Sequence, residues 1–322
     1  MKWMRCLLGL WLVCWFVNLP AGAQSYPTKP LRLLVPFPAG GGTDILARAL
    51  AQKLTDKMGQ AVVVENRPGA GGTIGAEAGA KATPDGYTLL LTTSSTHSIG
   101  PAINPRISYN VEADFTPIVY VANAPQIVLV PMNSRAKTLR EFIDYARQNP
   151  GRLNYASSGN GTISNLSTEI FKAQSGTFLV HIPYRGTGLS ITDLVSGKVD
   201  VLFDSLVTGM PHVKDGKLRA LAVTSPKRSA LAPELPTVSE LLPGFESVTW
   251  FGIYGPRGLP ADIVARVNQA VNASLVDPDL KERFARLGVE PTGGTPEVFA
   301  ATVKAESAKW KKIIAERKIT SD

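Results

Sequence analysis

Apolar strand-like runs alternate with amphipathic helix-like runs along nearly the whole chain. A chain of that order must cover both faces of a mainly parallel sheet with its own helices, because its strands are too apolar to leave either face in water. The unit is clearest in "LRLLVPFPAGGGTDILARALAQKLTDKMG", residues 31–59, with an apolar run over 31–37, a glycine cluster and helical periodicity over 44–58. The pattern predicts further strands at 62–65, 89–93, 127–130, 153–156, 180–182, 199–203 and 218–223. It predicts helices at 139–148, 164–173, 191–196, 261–275 and 296–317. Two stretches lack a helical period: "NRPGAGGTIGAEAGAKATPDG", which reads as a loop, and 226–260, which prolines and glycines punctuate.

Two long β-branched segments, "FTPIVYVANAPQIVLV" and "ESVTWFGIYGPRG", read as strands crossing between two domains. The expected division is a discontinuous first domain, 24–124 with 248–322, and a second domain, 125–247, inserted into it. The fold class is then α/β, each domain a mainly parallel sheet flanked by helices.

The first residues combine a basic start, "MKWMR", a twelve-residue apolar core, "CLLGLWLVCWFV", and the small-x-small site Ala21-Gly22-Ala23. That plan predicts a secretory signal over 1–23, cleaved before Gln24. The apolar core is shorter than the roughly twenty residues that span a bilayer. Both cysteines, Cys6 and Cys14, lie in the signal, so the exported chain has no disulfide, thiol nucleophile or cysteine-ligated metal. Removing 23 of the 322 residues leaves 299, enough to bury a self-sufficient core. Without Lys2 and Arg5 the formal charge of +8 falls to +6, spread with no run of five basic residues. Nucleic-acid binding normally shows a clustered basic stripe, and this chain has none. A weak field favouring small anions is compatible with the charge.

In "PFPAGGGTD", Gly40, Gly41 and Gly42 can present backbone N–H groups with no Cβ in the way. Thr43 or Asp44 is placed to cap the following helix, whose start attracts a carboxylate or phosphate. The loop lacks the lysine and the spacing of nucleotide motifs. Taken alone, it reads equally well as a tight βα turn. The device recurs in "RLNYASSGNGTISNL", where Ser157, Ser158, Gly159, Asn160, Gly161 and Thr162 link a strand to a helix. The two loops fall in different predicted domains, and ligands of open α/β sheets sit beyond the carboxyl ends of strands. A cleft with anion donors on both walls follows, with Phe37, Ala39 and Gly40 to Asp44 on one side and Ser158 to Thr162 on the other.

Further candidates adjoin that cleft. "VHIPYRGTGLS" offers Tyr184 to stack on or bond a ligand, and Arg185 either to pair with a second carboxylate or to stand as a surface charge. "LLLTTSSTHS" places the hydroxyls of Ser94 and Ser95 at a strand end, with His97 beside them, a loop cap sooner than a ligand contact. "VDVLFDS" ends at Asp204, facing either a ligand's donors or a helix N-terminus. Phe37, Tyr184 and Asp204 together suggest a mixed apolar and polar wall.

Six segments carry a resemblance: "YPTKPLRLLVPFPAGGGTD", "VVVENRPGAGGTIGAE", "TPDGYTLLL", "NYASSGNGTISNL", "HIPYRGTG" and "LRALAVTSPKRSALAPELPTVSE". In this order they resemble the Bug family of periplasmic receptors, the solute-binding components of tripartite tricarboxylate transporters. The resemblance spans nearly all of the chain after the signal. It implies a two-domain periplasmic-binding-protein (type II, Venus-flytrap) fold in the periplasm. It also implies a ligand carboxylate held between two βα loops, here residues 37–44 and 157–162, by backbone amides, hydroxyls and water. The implied partners are a small organic carboxylate and the membrane subunits of such a transporter, with the receptor a monomer needing no cofactor. Family members often carry His where this chain has Asn165, which keeps a donor and loses titration.

Capture without chemistry is the expected function, so no catalytic residue is assigned. An exported hydrolase could draw on Ser94, Ser95, Ser157 or Ser158 with His97, His181 or His212, but no G-x-S-x-G elbow occurs. The three histidines form no H-x-x-x-H pair for zinc. A ligand-sensing module without a transport role is the alternative to a transport receptor.

Overall fold

The computed structural model describes residues 26–230, 232–317 and 319–320. The signal expected at 1–23, with Cys6 and Cys14, lies outside them. The chain opens with β1 (Leu31–Val35), α1 (Gly42–Met58), β2 (Val62–Asn66), α2 (Thr73–Ala80), β3 (Thr88–Thr93) and a single turn, α3 (Gly100–Ile103). The long β4 (Phe115–Pro131) leads to α4 (Leu139–Gln148), β5 (Asn154–Ser157), α5 (Ile163–Ser175), β6 (Val180–Pro183) and α6 (Thr187–Val195). Then come β7 (Val201–Ser205), α7 (Leu206–Lys214) and β8 (Leu218–Val223). Beyond an irregular stretch lie β9 (Val248–Pro256), α8 (Ala261–Leu275), α9 (Pro278–Leu287), β10 (Glu290–Pro291) and α10 (Pro296–Arg317).

Each lobe carries its own sheet. In the first, β2, β1 and β3 pair in parallel, and in the second, β6, β5 and β7 do. Antiparallel strands complete both: β9 lies between β3 and β4, and β4 continues beside β7 and β8. The sheets are therefore mixed, because a strand arriving from the other lobe runs against the βα units it joins. Residues 115–125 of β4 pair with β9, and residues 126–131 of the same strand pair in the second sheet. β9 starts within the first sheet, so the return crossing falls just before Val248.

The helices follow from their apolar spacing. α1 buries Leu46, Leu50, Leu54 and Met58, one per turn, and stops at Gly59, whose left-handed backbone gives its N–H to Thr55 O. Each such side chain contributes about 1.5–3 kcal/mol by leaving water. The stretch read as a loop after β2 contains α2, a correction with a packing cause. A Cβ on Gly75 would sit 2.6 Å from both Arg67 O and Pro36 Cα, and one on Gly79 3.1 Å from Leu90 Cδ2, so the glycines of this helix serve close approach to the end of β1 and to β3. Helices α7 and α9 also escape the sequence pattern, the first because Gly209 and Pro211 interrupt it.

Two places depart from the expected division at 124/125 and 247/248. Ile99 and Ile103 pack in the second lobe's core. Helix α10 serves both lobes, with Phe299 and Val303 in the first core and Trp310 and Ile314 in the second.

Where the strands cross, buried polar groups bind the two passages together. Thr224 Oγ1 accepts the Gln126 N–H (2.7 Å) and lies 2.5 Å from Ser247 O, while the Ser247 N–H donates to Thr224 O (3.0 Å). Ser167 Oγ bonds Ser247 Oγ (2.5 Å) and Gln126 Oε1. Thr224→Val leaves the Gln126 N–H buried without its acceptor, at a cost of about 1–3 kcal/mol. Urea unfolding should show a loss of that size; an unchanged midpoint would contradict this role for the network.

Candidate functional site

Four helices begin around one small chamber. Gly41, Gly42 and Thr43 line it from the start of α1, and Ile163 and Ser164 from the start of α5. Gly186 and Thr187 open α6 there, and Asp204 and Ser205 precede α7. The chamber holds about 60 Å³. Phe37, Thr93, Gln126, Thr249 and Phe251 are among the residues that complete its wall. A helix start leaves N–H groups without intrahelical acceptors and carries a partial positive charge, so four together favour an anion.

The first loop is built differently from the expectation. Gly41, not Thr43 or Asp44, is the N-cap of α1, and no side chain caps the helix. The first intrahelical bond runs from Ile45 N to Gly41 O, so the N–H groups of Gly42, Thr43 and Asp44 precede the ladder. The buried Asp44 instead braces the loop. It accepts from Gly40 N, Arg48 Nε and Asn66 Nδ2, each at 2.9 Å. Burial works to raise its carboxyl, but the bonds from Arg48, Gly40 and Asn66 prevail and hold it below the usual range. Gly40 thus spends its amide inside the loop, and Ala39 and Gly40 are exposed.

The second loop matches the expectation more closely. Thr162 is the N-cap of α5, its hydroxyl 3.5 Å from Asn165 N. Its hydroxyl lies 2.7 Å from Gly159 O, and the Gly161 N–H donates to Asn165 Oδ1 (3.2 Å). Asn165 Nδ2 donates to the Tyr155 hydroxyl (2.8 Å). Gly161, Thr162 and Asn165 therefore shape the loop from behind, and Ser158 and Ser164 reach the chamber.

The lobes are shut over this chamber. The Ile163 N–H donates across the cleft to Ser95 Oγ (3.0 Å). A Cβ on Gly186 would lie 2.7 Å from Pro38 Cγ, and one on Gly71 2.7 Å from Asn160 O. A larger groove of about 730 Å³ continues outward, lined by Pro68, Gly72, Ile74, Asn160, Tyr184 and Arg185 among others. Phe37, Pro38, Ser158 and Gly186 belong to both spaces. The loop of residues 68–72 is a groove wall that the sequence reading missed; its glycine cluster is the signal that could have found it.

The remaining candidates divide. Asp204 reaches the chamber; Tyr184 and Arg185 stand in the groove, the Tyr184 hydroxyl already given to Asp193 Oδ2 (2.8 Å). Ser94 is buried away from both spaces, its hydroxyl without a partner. His97 bonds the strand end through side chains, its Nδ1 2.8 Å from Thr92 Oγ1 and 3.2 Å from Thr96 Oγ1. It is buried between Phe115 and Tyr254, both ring centroids 4.6 Å away, and burial lowers its imidazole to about 3. Ser157 Oγ does lie 2.7 Å from His181 Nε2. That serine is wholly buried and also bonded to the Gly159 backbone, so the pair anchors the second loop.

The comparisons with known proteins meet this geometry. The family model described as the tripartite tricarboxylate transporter family receptor matches residues 46–319. Protein BugT of Bordetella pertussis is 35% identical over 312 residues, 96% of each chain. The chain belongs to this receptor family, in its Bug branch. Two solved structures align with the receptor. The periplasmic binding protein BugD does so at a TM-score of 0.89 and 34% identity, over 92% of this chain and 100% of its own. Rpa4515 of R. palustris, solved with adipate, does so at 0.89 and 36%, over 92% and 99%. The receptor thus has the two-domain α/β fold of periplasmic binding proteins and is a solute-binding protein. Among its described residues no group of three or more His, Cys, Asp or Glu could hold a metal ion, and no helix is long and apolar enough to cross a membrane.

A side chain on Gly42 would project across the shut cleft, its Cβ 3.2 Å from Ser205 Oγ and 3.3 Å from Ser205 Cβ. Gly42→Val should therefore hold the lobes apart and weaken binding at least ~100-fold, about 2.7 kcal/mol, while the unliganded protein melts almost as before. Retained affinity in calorimetry would show that the lobes need not meet here.

Proposed function

We propose that this receptor captures a small organic carboxylate in the periplasm and hands it to the membrane subunits of a tripartite tricarboxylate-type transporter. It does so as a monomer, exported by the signal at 1–23 and performing no chemistry on its ligand. One observation carries the reading: four helix starts converge on a chamber of about 60 Å³ between the shut lobes, a size suited to a carboxylate group. The N–H groups of Gly42, Thr43 and Ser164 are the donors assigned to it, since the Thr187 hydroxyl is given to Asp204 Oδ1 and that of Ser158 to Thr162 Oγ1. Between the shut lobes each bond to the ligand's charge meets less competition from bulk water than in an open cleft. The remainder of the ligand extends into the groove, where Arg185 is available for a second acid group. The adipate held by Rpa4515 supports a dicarboxylate.

Domain boundaries at 124/125 and 247/248 make closure a hinge motion about the crossing strands, with α10 as a third tie. A thermal-shift screen over di- and tricarboxylates, acidic amino acids and aromatic acids tests the reading. An acid at ~100 times its dissociation constant should stabilise the protein by about 2.7 kcal/mol. No upward shift from any acid in the panel would refute carboxylate capture.

A further inference from the structure

Among the described residues, Asp204 is the only one lining the chamber whose side chain carries charge. Its placement looks unfavourable, since a carboxylate stands in a space that otherwise offers donors to an acid. It is almost wholly buried, accepting from Thr208 Oγ1 (2.5 Å) and from Thr187 Oγ1 (3.3 Å). None of the chamber's described residues supplies a cation to compensate it. The ionisable residues on the elements around it are engaged elsewhere or stand apart. Asp44 on α1 is tied to Arg48, Glu169 on α5 to Lys172, and Asp193 on α6 to Lys198. Arg185 lies in the outer groove, and His212 and Lys214 sit in the last turn of α7. β4 meets Asp204 with Ile127, and β3 and β9 turn Thr93, Thr249 and Phe251 toward the chamber. Burial alone pushes the carboxyl up, to about 6, against the hydrogen bonds from Thr208, Ser205 and Thr187.

A ligand carboxylate bound here shares the field of four helix starts with a second carboxylate. Two such groups in one small buried space cannot both stay ionised without a strong penalty, unless a proton or a donor stands between them. We propose that Asp204 sorts acids by what they bring to this contact. An acid with a hydroxyl or ammonium beside its carboxylate is held with Asp204 ionised and accepting from that donor. A plain acid is held only after Asp204 takes up a proton from solvent, which then bridges the two carboxyl groups. This inference rests on the carboxylate-capture reading and narrows its ligand class.

The sign follows from linkage. If only the protonated form of Asp204 admits a plain acid, the dissociation constant rises about tenfold per pH unit above the pKa of the free site. The test uses matched acids: succinate, malate and aspartate; glutarate, 2-hydroxyglutarate and glutamate; adipate and 2-aminoadipate. Titration calorimetry from about pH 6 to pH 8, in buffers of different ionisation heat, reads affinity and proton uptake together. The expected result is uptake of close to one proton and steep weakening with pH for the plain acids, with little of either for donor-bearing partners. Asp204→Asn should remove the pH dependence for plain acids and weaken the ammonium-bearing ones most. A purely structural role would instead weaken every member of a set alike. If plain acids bind at pH 8 without proton uptake and as tightly as their partners, the inference fails while acid capture stands. If no acid binds wild-type protein at any pH, acid capture fails and takes this inference with it. The buffer comparison needs only wild-type protein, so it separates these outcomes even if the variant does not fold.

Discussion

A helix cannot satisfy its own first N–H groups, and this chain turns that deficit to use by starting four helices around one volume. Much else in the structure answers to that convergence. The parallel order of β2-β1-β3 and of β6-β5-β7 places α1, α5 and α6 at strand carboxyl ends, so their starts face the space between lobes. β4 threads both sheets and fixes how they face each other. Gln126 ties the two levels together, lining the chamber while its backbone and amide join the buried network at the crossing.

The glycines gain their meaning from the same constraint. Gly42 and Gly186 stand where one lobe's backbone passes the other's side chains: a Cβ on Gly186 would clash with Pro38, and one on Gly42 would crowd Ser205. Asp44 shows the complementary device. A charged residue beside the site is withdrawn from it by three hydrogen bonds and used to set the loop's shape. Asp204 also accepts three hydrogen bonds, from Thr208, Ser205 and Thr187, but it lines the chamber and has no cation such as the Arg48 that pairs with Asp44, and that contrast makes it the informative carboxylate.

Much of the fold was legible in the sequence. Helix α1 repeats an apolar residue every turn, and α4, α8 and α10 end where their periodicity ends. α2 was not legible, since its glycines look like loop residues until Leu90 and the backbones of Pro36 and Arg67 are seen to press on them. For the candidate site, both glycine loops named from the sequence contribute residues to the chamber, Gly41 to Thr43 from one and Ser158 from the other. Which residues of a loop look inward was beyond the pattern, because it depends on caps and braces. Gly41 took the cap expected of Thr43 or Asp44, and Gly40 gave its amide to Asp44. The 68–72 loop went unrecognised as a wall because it does not follow the strand–glycine–threonine spelling of the other two.

A crystal structure of the receptor grown with an acid that stabilises it would settle where the anion sits. The account predicts one carboxylate inside the shut chamber, within hydrogen-bond reach of the Gly42, Thr43 and Ser164 amides, with the other end of the ligand toward Arg185. An acid lodged only in the outer groove, or a chamber filled by a side chain while ligand is bound elsewhere, would contradict it.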